Sequence, residues 1–178
     1  MWATFKDRII RSAKMDVQVY EEVEADPKAS GQAMLVVILS SIAAGIGSFE
    51  KGGVSGIFVI GIADIVGWFI WAYITYFVGT KILPEPQTSS NPGELLRTIG
   101  FSRSPGLIRV FGIIPGLVGI VFLASSVWML VTMVIAVRQA LDYRSTLRAV
   151  GVCIIGWLIQ IVILFLVFLI FGKVAFFR

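Results

Sequence analysis

The chain has 178 residues, 57% of them hydrophobic and 15% charged, with a mean hydropathy of +0.91, against roughly half apolar and a quarter charged in a soluble domain. That composition excludes a soluble globular domain and points to an all-α integral membrane protein, because each span takes about 20 apolar residues. A single cysteine, Cys153, and no histidine exclude an intrachain disulfide, a His/Cys metal site and a histidine base. The net charge of +4 is dispersed among the apolar segments, so neither a cofactor nor a nucleic-acid partner is expected.

Residues 1–26 read as an amphipathic cytoplasmic segment. Trp2, Phe5, Ile9, Ala13 and Tyr20 fall on one helical side, with Arg8, Arg11, Lys14 and Gln18 away from it. Trp2, Phe5, Lys6, Arg8, Arg11 and Lys14 are candidate lipid-surface contacts, the basic half favouring anionic head groups and the acids from Asp16 to Asp26 avoiding them. Asp16 interrupts the stripe, which predicts two short helices. The segment either anchors in the interface or packs against the cytoplasmic loops. A polar, acidic lead-in of 32 residues is unlike a cleavable signal, so the first span is expected to act as its own insertion signal.

Five spans are predicted within a membrane domain over residues 27–172, followed by a tail at 173–178. The first, about 27–49, opens on Asp26-Pro27, an N-cap followed by a preorganised first position. The second, about 54–77, follows a turn at Glu50–Gly53 and ends in the linker KILPEPQTSSNPGE. There Asn91-Pro92-Gly93-Glu94 forms a capping box that starts the third segment, about 94–114. That segment holds Arg97, Arg103, Arg109 and a central Pro105, and reads as a kinked span. The alternative lays Pro92–Ser102 in the interface and leaves about 10 residues before Pro115, half a crossing at 1.5 Å per residue. The fourth and fifth spans, about 117–136 and 150–171, flank the loop VRQALDYRSTLRA. Basic residues divide twelve to three, the three being Lys51, Lys173 and Arg178, so the positive-inside rule places the N-terminus in the cytoplasm and the C-terminus outside.

No enzyme motif is present. GIGSFEKGG lacks the order of a phosphate-binding loop, EEVEAD reads as solvated helix surface, and no base accompanies the serines and threonines of the spans. What remains is buried polarity. Asp64 lies about 15 to 20 Å from either end of the second span, Gln160 is similarly central in the fifth, and Arg109 reaches about 21 Å along a continuous third helix. Asp64 shares its face with Gly61, Gly67, Trp68 and Trp71, and Arg109 with Pro105, Ser102, Gly112 and Gly116. An unpaired charge at that depth costs about 2.5 to 3.5 kcal/mol. The reading is a pair between Asp64 and Arg109, with Arg103 the second choice and Gln160 a hydrogen-bonding neighbour. Such a pair fixes the packing of spans two and three, or lines a hydrated pocket or ion path at the break before Pro105; a protonated Asp64 without a cation is the third option.

Three blocks, YEEVEADPKASGQA, GELLRTIGFSRSPG and WMLVTMVIAVRQALDYRSTLRA, in this order and spacing resemble bacterial members of the Yip family, five-span membrane proteins named for interaction with Ypt/Rab GTPases. The resemblance runs from about Met15 to Ile170. It implies a five-helix membrane fold with a cytoplasmic N-terminus. In the eukaryotic branch it implies vesicle trafficking and membrane shaping through Rab GTPases and self-association; no functional residue carries over.

The functional expectation is therefore a non-enzymatic adaptor, membrane organiser or subunit of a larger complex in a bacterial cytoplasmic membrane. Its expected partners are lipids, other membrane proteins or further copies of itself. Arg138, Asp142, Arg144 and Arg148 form a candidate cytoplasmic partner surface, and the spacings Gly52/Gly56 and Gly112/Gly116 are candidates for helix association. The alternative class is a small transporter or channel component using Asp64 and Arg109.

Overall fold

A computed structural model describes the chain over Trp2–Phe176, with the side chains of residues 2, 3, 50–52, 55, 56, 59, 164 and 167–176 outside the description. Among the described residues the structure is all helical. It comprises α1 (Trp2–Ala13), α2 (Val17–Ala25), α3 (Ala29–Gly47), α4 (Phe49–Phe77) with a π-helical turn at Val78–Ile82, α5 (Pro92–Phe101), a 3-10 segment (Ser104–Ile113), α6 (Val118–Ala140) and α7 (Thr146–Phe176).

Local chemistry sets most of the boundaries. Met15, at φ 63°, turns the chain between α1 and α2, and Asp16 caps α2 by accepting from the Gln18 amide. The Asp26 side chain accepts from the Lys28 amide at 3.0 Å and starts the turn into α3. Gly53, at φ 56° and ψ −160°, breaks α4 near its start, a conformation that only glycine adopts without cost. The Asn91/Glu94 capping box opens α5 as the sequence predicts.

Four of these helices are long and apolar enough to cross a membrane: Ala29–Gly47, Ile60–Ile82, Val118–Ala140 and Thr146–Ile163. Their outward faces carry stripes such as Phe58, Ile62 and Val66 on α4 and Ile120, Leu123 and Val127 on α6, all exposed. Facing lipid rather than water, such stripes need no protein cover.

The third apolar segment is a broken element, not a kinked helix. The Ser102 and Ser104 hydroxyls donate to carbonyls three residues back, those of Ile99 and Phe101. Pro105 supplies no backbone N–H, and the chain continues as a 3-10 helix. The carbonyl freed at Ser102 accepts from Thr132 of α6 at 2.7 Å, so the irregular backbone is satisfied within the protein, as backbone shielded from water requires.

Directions follow from the contacts. Close approaches pair Gly100 with Ala33, Gly106 with Ser40, and Gly112 with Gly47, so the broken segment runs parallel to α3. α4 runs antiparallel to α3, since Gly45 meets Ile57 and Ser41 meets Asp64. α6 runs against the broken segment, through Thr132 to Ser102 and Ser125 to Arg109. α7 runs against α4, because Gly151 approaches Leu83 and Gly156 approaches Trp71.

The densest core lies where α2, α3, α5 and α6 converge. There Tyr20, Leu95, Ile99, Phe101 and Val137 are fully buried. α2 caps this end of the bundle and is clamped by buried Arg97 of α5, whose guanidinium donates to the carbonyls of Val23 and Glu24. A cation at the last carbonyls of a helix satisfies acceptors that have no intrahelical donor and complements the dipole.

The N-terminal segment packs against the bundle instead of anchoring in the interface, the second of its two expected arrangements. Phe5, Arg8 and Ser12 are buried against the bundle. Arg8 donates to Gln32 and pairs with Asp26 at 2.9 Å, and Ser12 bonds Ser104 across the core at 2.8 Å. Arg8 and Phe5 are therefore not the lipid contacts expected of them. The helical wheel placed Arg8 on the polar side, but the bundle offers that side a carboxylate and an amide, and a paired guanidinium can face a protein interior. Arg11 is likewise occupied, by Asp16 at 2.7 Å, Glu22 at 2.8 Å and Asp7 at 3.6 Å. Lys6 and Lys14 stay exposed, and the Trp2 side chain lies outside the described residues.

Half-buried Glu24, at the end of α2, keeps one carboxylate oxygen buried without a partner. Burial, then the neighbouring acids Glu21, Asp142 and Glu94, push its pKa up to about 8, with Arg97 opposing them. The folded chain thus holds a proton that the unfolded chain loses near 4.5, and stability from this group falls as pH rises between those values and is level above. Glu24→Gln is expected to be more heat-stable than the parent at pH 8 to 9, with the gap closing towards pH 5. Parallel melting curves that keep a constant gap across this range would exclude the buried proton.

Candidate functional site

The helix break places Arg103 against Asp64 of α4. Its Nη1 donates to Asp64 Oδ1 at 3.2 Å, while Asp64 Oδ2 accepts from the Ser41 hydroxyl of α3 at 2.7 Å. One carboxylate therefore joins α3, α4 and the break. The side chains of Arg103 and Asp64 retain 16% and 29% exposure, because the pair opens onto a cleft of about 290 Å³. Asp64 and Arg103 form its floor, with Trp71, Met133, Trp157 and Gln160 among its walls.

Arg109 is elsewhere, and the expected Asp64–Arg109 pair is not formed. The Arg109 carbonyl lies against Gly47, six residues beyond Ser41, which is about 9 Å further along α3. Residues 100–112, twelve steps, run beside the fourteen helical steps from Ala33 to Gly47, about 21 Å of α-helix, so the chain here rises faster than 1.5 Å per residue, as a 3-10 helix does. A continuous α-helix had placed Arg109 level with Asp64; the faster rise carries it past. Arg109 instead donates to Ser125 at 2.9 Å and Ser126 at 3.0 Å, with its guanidinium 5.2 Å from the centre of the Phe122 ring. Without a direct pair, the transport reading built on Asp64 and Arg109 is not favoured.

Gln160 shares the cleft with Asp64 but makes no hydrogen bond to it; both carboxylate oxygens are taken by Arg103 and Ser41. Ser41, Trp71, Met133 and Trp157 were not singled out as site residues. The Ser40-Ser41 pair in an apolar span was the available signal for Ser41, and the seven-residue spacing from Asp64 was the signal for Trp71.

The residues of the expected partner surface are largely used inside the chain. Glu85 accepts from the backbone amides of Arg144 and Ser145 at 3.0 and 3.3 Å, just ahead of α7, and pairs with Arg148 at 3.4 Å. These donors, the Arg144 amide first, hold its carboxyl below the usual range. Arg148 also donates to the Pro84 carbonyl at 2.6 Å, and Arg138 to those of Tyr143 and Arg144 at the end of α6. Asp142 adopts φ 53° and its carbonyl accepts from Gln87 at 3.0 Å. The side chain of Arg144 remains exposed and unbonded among the described residues. Gly112 packs internally against Gly47, Gly116 sits in a turn at φ 83°, and Gly52 and Gly56 lie outside the described side chains.

Apolar outward stripes, inward polar groups and several membrane-length helices define a polytopic α-helical membrane protein. A family model described as the Yip1 domain matches residues 16–169. The chain belongs to the Yip family. No curated protein and no solved structure matches it.

Proposed function

We propose that the protein is a non-enzymatic organiser or adaptor of a bacterial cytoplasmic membrane, crossing it five times with the N-terminus in the cytoplasm and the C-terminus outside. The observation that carries this reading is the rigid cap formed by α1, α2 and α5. Arg11 ties α1 to α2, Arg97 clamps α2 to α5, and Arg8 fastens α1 to the start of α3. A preformed polar surface fused to a lipid-facing bundle suits docking of partners at the membrane.

The five-pass count draws support from the alternating directions of α3, α4, the broken segment, α6 and α7. The orientation draws on the basic residues, twelve of which belong to the N-terminal segment, the linker with the third segment, and the 138–148 loop. The Yip family is not known for enzymatic activity.

Orientation is tested on a Cys153→Ser background with an impermeant maleimide. Lys14→Cys and Arg144→Cys should react only after the membrane is opened, and Pro115→Cys in intact cells; the opposite pattern reverses the topology. The adaptor role is tested by capture from nanodiscs with mass spectrometry. A stoichiometric protein that is lost when exposed charges on α1 and α2 are reversed supports it, and a chain that returns alone refutes it.

A further inference from the structure

The cleft over Asp64 and Arg103 is polar on its floor and has exposed apolar side chains around it. Its outer neighbours Ile62, Val66 and Ile154 are exposed apolar side chains, and Trp157 on its wall is 62% exposed, so it opens towards the acyl region of the bilayer and not into a closed core. Several polar groups in it have no partner. Among the described residues Arg103 Nη2 and the Gln160 amide make no hydrogen bond, while Arg103 Nε is enclosed by protein without an acceptor and out of an occupant's reach. Trp71, 9% exposed, lines the same cleft with its ring, its indole N–H being enclosed by protein.

Unpaired donors of this kind are costly in hydrocarbon, and their geometry asks for an occupant that brings acceptor oxygens to Arg103 and Gln160. The floor holds one carboxylate and one guanidinium, so it favours an occupant that is itself neutral overall but separated into charges. The volume is at the low end for small-ligand sites, enough for a head group and not for a whole lipid.

We infer that this cleft binds the head group of a zwitterionic phospholipid, with phosphate oxygens towards Arg103 and Gln160 and the primary ammonium towards the exposed part of Asp64. The acyl chains would remain in the bilayer along the apolar side chains around the cleft. Asp64 and Arg103 then have two roles, joining the helices and recognising the lipid. The inference does not rest on the adaptor reading, because lipid retention is measured without any protein partner.

The test is native mass spectrometry of the full chain released from nanodiscs holding equal fractions of phosphatidylethanolamine and phosphatidylglycerol. One phosphatidylethanolamine per chain should survive delipidation. Retention should fall about tenfold, equivalent to roughly 1.4 kcal/mol, in Gln160→Leu, which removes the amide and leaves the ion pair intact. Ala63→Leu, an apolar change at the exposed mouth, should block retention without touching any polar group. Equal retention of the two lipids, a preference for the anionic one, or undiminished retention in both variants would overturn the assignment. So would saturable thermal stabilisation of lipid-free protein by inorganic phosphate, which would make the occupant a soluble anion.

Discussion

Asp64→Asn and Arg103→Gln are each expected to destabilise the protein by about 1 to 3 kcal/mol, with the double variant recovering part of the loss. Breaking one side of a buried pair leaves the other charge uncompensated, at a cost of about 3 to 5 kcal/mol in a dry interior. The 29% exposure of Asp64 and its bond to Ser41 lower that figure, since the cleft can hydrate a lone charge. The informative quantity is the coupling. A double-mutant cycle on thermal unfolding in detergent should give about 0.5 to 3 kcal/mol between positions 64 and 103, the range for residues in direct contact. The same cycle between 64 and 109 should give a clearly smaller value, because Arg109 is held by Ser125 and Ser126 and feels Asp64 only through space. Additive losses at 64 and 103, or strong coupling to 109, would mean that the registry of the broken segment is wrong.

Gly47→Ala is expected to be the most damaging of the small glycine substitutions, at about 1 to 3 kcal/mol on the scale of overpacked cores. A Cβ there would run into the Arg109 carbonyl oxygen and lie 3.2 Å from the Phe122 ring. Backbone cannot swing aside as a side chain can, so relief requires α3 and the 3-10 segment to part. The loss should therefore extend beyond stability. Arg109 would be drawn from Ser125, and tryptophan fluorescence of Trp128 on the same helix offers a local report. Gly61→Ala is the control. Nothing lies within 4 Å of a Cβ at that position, and removing a helical glycine should leave stability unchanged or raise it by up to about 1 kcal/mol. Equal effects at the two positions would deny the close crossing.

Element boundaries were the most legible part of the chain. Asn91 and Glu94 formed the capping box expected of them, and Asp16 divided the N-terminal segment into two helices, because caps act over three residues and are written where they operate. The presence of intramembrane charge was equally plain. Its partner was not. The sequence contained both Arg103 and Arg109 at helical depth, and the choice between them depended on rise per residue, which the serine hydroxyls and Pro105 changed at the break. The lipid-facing reading of Arg8 failed for a related reason: a helical wheel ranks faces by polarity alone, whereas the bundle supplied Asp26 and Gln32 to a face that is polar on paper.

By itself, then, the sequence determined the class of protein, the capped starts of α2 and α5, and the presence of Asp64 as a charge in need of a partner. Tertiary structure decided that the partner is Arg103, that α1 folds onto the bundle, and that a polar cleft stays open over the pair. The division has a physical origin. Capping and hydrophobic length depend on neighbours within a few residues, while an ion pair between helices depends on rise summed over a broken segment and on where backbones cross. At Gly47 and Gly106 that crossing is set by contacts between residues more than sixty positions apart, which no local pattern encodes.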